Sequence, residues 1–139
     1  DWLTRDEDIV DRYNDDPGCT FIFKASGFRD LFSLILNISK ENRTHLVSEK
    51  TKILIISGSE DPVGSYGEGP KRLEQFFSQT GHETILKLYD GGRHEMFNET
   101  NRKEVYADLL EFILRVKEDP LRREGAMASG PGQTQNEEK

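Results

Sequence analysis

Two side chains in this 139-residue sequence stand where a proton relay could be built: Asp61 and His94. Each sits in a loop that follows a short apolar run. Asp61 comes after Ile53-Leu54-Ile55-Ile56 and the polar stretch Ser57-Gly58-Ser59-Glu60. His94 comes after Ile85 to Tyr89 and the turn signal Asp90-Gly91-Gly92. A carboxylate that accepts from imidazole Nδ1–H fixes the ring's tautomer and stabilises the imidazolium formed when the ring takes up a proton. Nε2 is then free to accept that proton from a nucleophile. Plainer readings of the same residues exist: Asp61-Pro62 is an ordinary turn, and a histidine in a glycine-rich loop is commonly a surface or structural residue.

Other chemistry-bearing residues carry less. His45 lies in a polar connector and His82 follows a helix-ending glycine, so both are expected to be solvated. Cys19 is the only cysteine. It excludes an intrachain disulfide and a cysteine-based zinc site, and it is expected as a small buried or half-buried residue rather than a nucleophile. Tyr66, among Gly64, Gly67 and Gly69, could line a pocket; a flexible turn is the plainer reading. No metal or cofactor is expected.

The elements that must position Asp61 and His94 follow from hydrophobic patterning. Ile53–Ile56 is a continuous apolar run rich in β-branched residues, the pattern of a strand buried on both faces. Pro70 begins a helical segment with Leu73, Phe76 and Phe77 on one face, ended by Gly81 at a C′ position. Ile85–Tyr89 is a second strand. The last helix is the clearest: Val105, Leu109, Phe112, Ile113 and Val116 recur at helical spacing. Asn101 and Glu104 form a capping pair at its start, and Pro120 stops it. Strand, helix, strand, helix implies parallel pairing with a right-handed crossover. Ligand chemistry in open α/β sheets gathers outside the carboxyl ends of the strands, which is where Asp61 and His94 fall. Two parallel strands need neighbours to bury their edges and faces, so this half reads as the end of a larger sheet.

Upstream, residues 1–20 are acidic and turn-rich, with Asp15-Asp16-Pro17-Gly18 a strong turn signal. Phe28, Leu31, Phe32, Ile35 and Leu36 then make an apolar stripe at helical spacing. The organisation expected is residues 1–50 leading to the core, 51–118 the strand–helix–strand–helix unit, and 119–139 a disordered tail with almost no apolar content.

Composition narrows the partners. The chain is 34% hydrophobic and 32% charged with a formal charge of -7, a pI of about 5.0 and a mean hydropathy of -0.72. Such a chain repels phosphate backbones, so nucleic acid is not an expected partner. Phe28–Ile38 is too short and too interrupted to span a membrane. Asp1-Trp2-Leu3 has no basic region followed by an apolar core, so no signal peptide is read there. A cytoplasmic location is expected, with peripheral membrane association compatible. The sequence does not open on Met, and about 250 residues are expected of a large single-domain α/β fold; the reading is therefore a fragment whose upstream part is missing.

Longer segments carry a family resemblance. Ile53-Leu54-Ile55-Ile56-Ser57-Gly58-Ser59-Glu60-Asp61-Pro62-Val63-Gly64 resembles the strand and acid loop of the serine-aminopeptidase/monoacylglycerol-lipase branch of α/β-hydrolases, often called lysophospholipases in bacteria. Leu88-Tyr89-Asp90-Gly91-Gly92-Arg93-His94-Glu95-Met96 resembles that branch's histidine loop, and Asn98-Glu99 with Asn101-Arg102 its entry to the final helix. Gly27-Phe28-Arg29-Asp30-Leu31 is similar to the end of its lid. The resemblance covers roughly residues 1 to 117. It implies the C-terminal part of an α/β-hydrolase: the end of a helical lid plus the last parallel strands and helices. It also implies that Asp61 is the triad acid and His94 the triad base, that Val63, Gly64 and the Phe28–Leu36 stretch with Phe32 lie near an acyl pocket, and that the substrate is a small lipid or other carboxylic ester.

The sequence departs from that family at one point. The nucleophile belongs in Gly-x-Ser-x-Gly, on a strained strand-to-helix turn ahead of the acid and base. No serine here has glycine at both flanking offsets. The expectation is therefore a serine ester hydrolase portion that is inactive alone. The alternative is a non-catalytic interaction module that needs a partner, such as the complementary N-terminal half, to complete its sheet.

Overall fold

A computed structural model describes residues 1–38 and 47–118. The connector carrying His45 and the tail after Glu118 lie outside these residues. In chain order the elements are α1 (Glu7–Asp15), α2 (Ala25–Ile38), β1 (Ile53–Gly58), α3 (Glu68–Gln79), β2 (Thr84–Tyr89), a one-turn 3-10 helix (Met96–Asn98) and α4 (Arg102–Glu118).

The two strands pair in parallel, from Ile53 opposite Thr84 to Gly58 opposite Tyr89, with α3 as the crossover. Pairing does not stop at the strand ends. Ser59 N–H donates to Tyr89 O at 2.9 Å and Glu60 N–H to Gly92 O at 2.8 Å, so the acid loop and the histidine loop leave the sheet side by side. Gly58 makes that approach possible: a Cβ there would stand 2.0 Å from Gly92 O.

Below this junction lies the small core of Tyr89, Met96 and Val105, with Ile56 against it. The α4 stripe is graded: Val105 is fully buried, Leu109, Phe112 and Val116 are half-buried, and Ile113 is exposed. Tyr89 closes the core with a polar handle, its hydroxyl donating to Asp108 Oδ2 at 2.6 Å. Burial and that carboxylate push the phenol well above its usual range.

Helix α1 replaces the turn-rich stretch read from the sequence. Glu7 and Asp8 in its first turn and Arg12 in its last complement the helix dipole, and Ile9, Val10 and Tyr13 are half-buried on one side. The Asp15–Gly18 turn follows, with Gly18 N–H donating to Asp16 Oδ1 at 2.7 Å. The capping pair at α4 is rearranged. Asn101 Nδ2 donates to Glu104 Oε2 at 3.0 Å, while Asn101 Oδ1 accepts from the Arg5 guanidinium at 3.1 Å. The cap is thereby spent on a long-range tie.

The stripe on α2 forms a helix face but is not covered by the described residues. Phe28, Leu31, Phe32, Ile35 and Leu36 are all exposed, and the ring contacts of Phe28 are Phe23 at 5.3 Å and Phe32 at 6.1 Å. Among the described residues no helix is long and apolar enough to cross a membrane.

The Gly58–Gly92 approach is directly testable. Gly58→Ala places a methyl group inside the opposite backbone and is expected to cost about 1–3 kcal/mol, the usual range for overpacking. Urea denaturation of the variant should show a lower midpoint. An unchanged midpoint would mean that the two loops separate without penalty.

Candidate active site

The geometry at the strand tips begins with Asp61, three residues beyond the last ladder position of β1. Its carboxylate is 8% exposed, and Oδ1 accepts from the Val63 N–H at 2.9 Å. The loop then folds back on the acid: Tyr66 N–H donates to Asp61 O at 2.8 Å. Gly64 closes over it, since a Cβ there would meet Asp61 Oδ2 at 3.1 Å. His94 enters from β2. Its Nδ1 lies 3.3 Å from Asp61 Oδ1 and 3.2 Å from Oδ2. With the proton on Nδ1 the ring donates to the carboxylate, and Nε2 is left as an acceptor. The imidazole is 38% exposed, so that second nitrogen can meet a group arriving from outside. The pair can therefore accept and return one proton.

Further residues complete the surroundings. Trp2 lies on the imidazole with ring centroids 5.1 Å apart. Trp2, Arg5, Glu60, Pro62, Tyr66 and Arg93 line a neighbouring cleft of about 440 Å³. Behind the histidine loop Glu99 is fully buried, in an ion pair with Arg5 at 2.9 Å. Burial pushes the Glu99 carboxyl up. The Arg5 guanidinium and the backbone N–H groups of Arg93, Thr100 and Arg5 outweigh it and hold the group below the usual glutamate value. No local pattern announces this site, because the charged partner of Glu99 is 94 residues away.

None of the four residues expected near a pocket lines this cleft. Val63 and Gly64 sit at the acid, Val63 acting through its backbone while its side chain is exposed. Phe28 and Phe32 stay on α2 with their own ring neighbours and do not line the cleft. Tyr66 does line it. Its turn is strained rather than flexible: Ser65 and Tyr66 have φ of 53° and 55°, followed by Gly67 at 86°. Left-handed backbone at two non-glycine residues costs about 1–2 kcal/mol each.

Two expectations are corrected. His82 is buried rather than solvated. Gly81 at φ +89° turns the chain back over the end of α3, His82 N–H donates to Phe77 O at 3.1 Å, and the ring packs edge-on against Phe77. This is the apolar contact that accompanies a glycine-terminated helix. Cys19 is exposed rather than buried, because its N–H bonds back to Asp16 O in the turn after α1. Desolvation and the Asp16 carboxylate push its thiol up, the wrong direction for a nucleophile. No cluster able to hold a metal ion occurs among the described residues.

Comparison with known proteins gives the family and the fold. A family model described as serine aminopeptidase, S33, matches residues 1–101. No curated protein sequence matches. A solved lipase in its open form is 29% identical with a TM-score of 0.72, covering 85% of this chain and 39% of its own. A thermostable carboxyl esterase from Bacillus coagulans, in complex with glycerol, is 32% identical with a TM-score of 0.73, covering 84% and 38%. The chain thus spans about two fifths of the length of these solved relatives, and it has the C-terminal part of their α/β-hydrolase fold.

The Glu99 cluster gives a pH dependence whose sign is fixed. Its folded pKa lies below its unfolded value of about 4.3. The contribution to stability is fully present above that unfolded value and is lost as pH falls through the depressed folded one. Urea midpoints measured from pH 6 down to pH 3 should fall, and Glu99→Gln should flatten that part of the profile while lowering stability at neutral pH. Parallel profiles for the two proteins would refute the assignment.

Proposed function

Because the chain belongs to the serine aminopeptidase S33 family of hydrolases, we propose that it is the acid–base portion of a serine ester hydrolase. The observation that carries this reading is the Asp61–His94 contact at 3.2 Å, with the acid buried and the base open. The lipase and carboxyl esterase among its structural relatives support carboxylic esters as the substrate class. Acylglycerols and lysophospholipids are the members of that class proposed here.

In this mechanism a serine outside these 139 residues attacks the ester carbonyl. Its proton passes to His94 Nε2, and Asp61 stabilises the resulting imidazolium through Nδ1–H. His94 then returns the proton to the departing alcohol, and water repeats the sequence on the acyl-enzyme. The tetrahedral oxyanion needs backbone donors beside the nucleophile, and these belong to the same outside segment. The chain by itself is therefore proposed to be inactive. A second reading, an interaction module that needs a partner, draws on the exposed apolar face of α2. It is compatible with the first if the partner is the segment that supplies the serine.

Labelling with a serine-directed fluorophosphonate tests the first reading. The chain alone should remain unlabelled, and a protein joining it to an upstream Gly-x-Ser-x-Gly segment should be labelled. Modification of any serine within residues 1–139 would sink the proposal. In the joined protein, His94→Ala should lower kcat for a short-chain ester by about four to six orders of magnitude. Asp61→Asn should lower it by about four, with far-UV circular dichroism unchanged for both. Near-normal turnover in His94→Ala would refute the role assigned to the imidazole.

A further inference from the structure

Glu99 takes no part in the proton relay, yet its carboxylate is the most completely enclosed charge among the described residues. Its two oxygens offer about four lone-pair sites, and four donors occupy them. Oε1 accepts from the N–H of Arg5 at 3.2 Å and of Arg93 at 2.9 Å. Oε2 accepts from Arg5 Nε at 2.9 Å and from the Thr100 N–H at 3.1 Å. Three of the four donors are backbone, so the carboxylate fixes chain position rather than merely pairing a charge.

The chain it fixes is the one that carries His94. Arg93 directly precedes the imidazole, and its guanidinium also donates to Thr4 O at 3.1 Å. His94 N–H donates to Trp2 O at 3.4 Å and Glu95 N–H to Leu3 O at 2.9 Å. Residues 2–5 thus run alongside residues 93–95, with Glu99 bonded to both at one end and the Trp2 ring on the imidazole at the other. We infer that Glu99 is a positioning residue for His94: by clamping the 93–95 loop to the 2–5 segment it holds Nδ1 on Asp61 and so selects the tautomer whose Nε2 is free. Its consequence for turnover rests on the ester-hydrolase reading; the clamp itself does not. Gln cannot substitute, because one of its two ends is an NH₂ that would face two donors in place of an acceptor. Leaving those buried groups unpaired favours opening of the clamp.

The tautomer is measurable without substrate or serine. In the ¹⁵N-labelled chain at a pH where His94 is neutral, the shifts of its two ring nitrogens report which carries the proton. The other two histidines are assigned with His45→Ala and His82→Ala. The native chain should show the Nδ1–H form, and Glu99→Gln should show a mixture of the two forms, with matching far-UV circular dichroism. Tyr89→Phe, which removes the bond to Asp108, serves as a destabilised control and should keep the native tautomer. Retention of Nδ1–H in folded Glu99→Gln overturns the inference, as does an equal mixture in Tyr89→Phe. If Glu99→Gln does not fold, Arg5→Met decides: it removes one of the four donors and should give a smaller shift towards the mixture, while an unaltered tautomer overturns the inference. Retained ester hydrolysis in His94→Ala would instead remove the hydrolase reading and leave the tautomer result standing.

Discussion

Parallel, in-register pairing of β1 with β2, extended past the strand ends by backbone contact between Gly58 and Gly92, is the constraint on which the site depends. Side chains alternate along a strand, so a one-residue slip would send every one to the opposite face. The same slip would carry Asp61 about 3.3 Å along β1 relative to His94 and end their contact. The register is held by more than the ladder. Glu60 N–H reaches Gly92 O, and Gly91 N–H reaches Ser59 Oγ at 2.8 Å. The two loops are therefore stitched together before either functional side chain departs.

Electrostatics divide the site into a closed half and an open half. Asp61 and Glu99 are both buried carboxylates, but they do different work. Asp61 keeps one face towards an imidazole and uses a backbone N–H to hold itself still. Glu99 has every acceptor position filled. A buried carboxylate with unsatisfied positions is costly, which is why the saturated one can serve as a structural tie and the unsaturated one needs the histidine. His94, by contrast, remains partly exposed, as the proposed proton exchange with an incoming group requires.

The described core is small for the apolar content of the chain. It consists of Tyr89, Met96 and Val105 with Ile56, while α2 and the outer residues of α4, including Leu110, Ile113 and Leu114, stay exposed. The chain spans about two fifths of its solved relatives. In an α/β fold, helices cover both faces of a sheet larger than two strands; among the described residues α3 and α4 pack on this sheet.

What the sequence determined by itself was everything that depends on local periodicity or on short runs. The β1 and β2 runs, the α3 and α4 stripes, the glycine end of α3 and the placement of Asp61 and His94 at strand tips were legible, because each signal lies within about a dozen residues. The helix in the acidic opening is not announced by a long apolar stripe: α1 carries the charge order of Glu7, Asp8 and Arg12, with Ile9 and Val10 only half-buried. His82 was misread because its burial comes from the fold-back at Gly81. Only the tertiary structure brought Trp2 to His94 and Arg5 to Glu99, across more than 90 residues of chain. A hydrogen-bond donor fitted to a buried carboxylate leaves no trace in the spacing of either residue. Its identity follows from which loops lie side by side once the strands have paired.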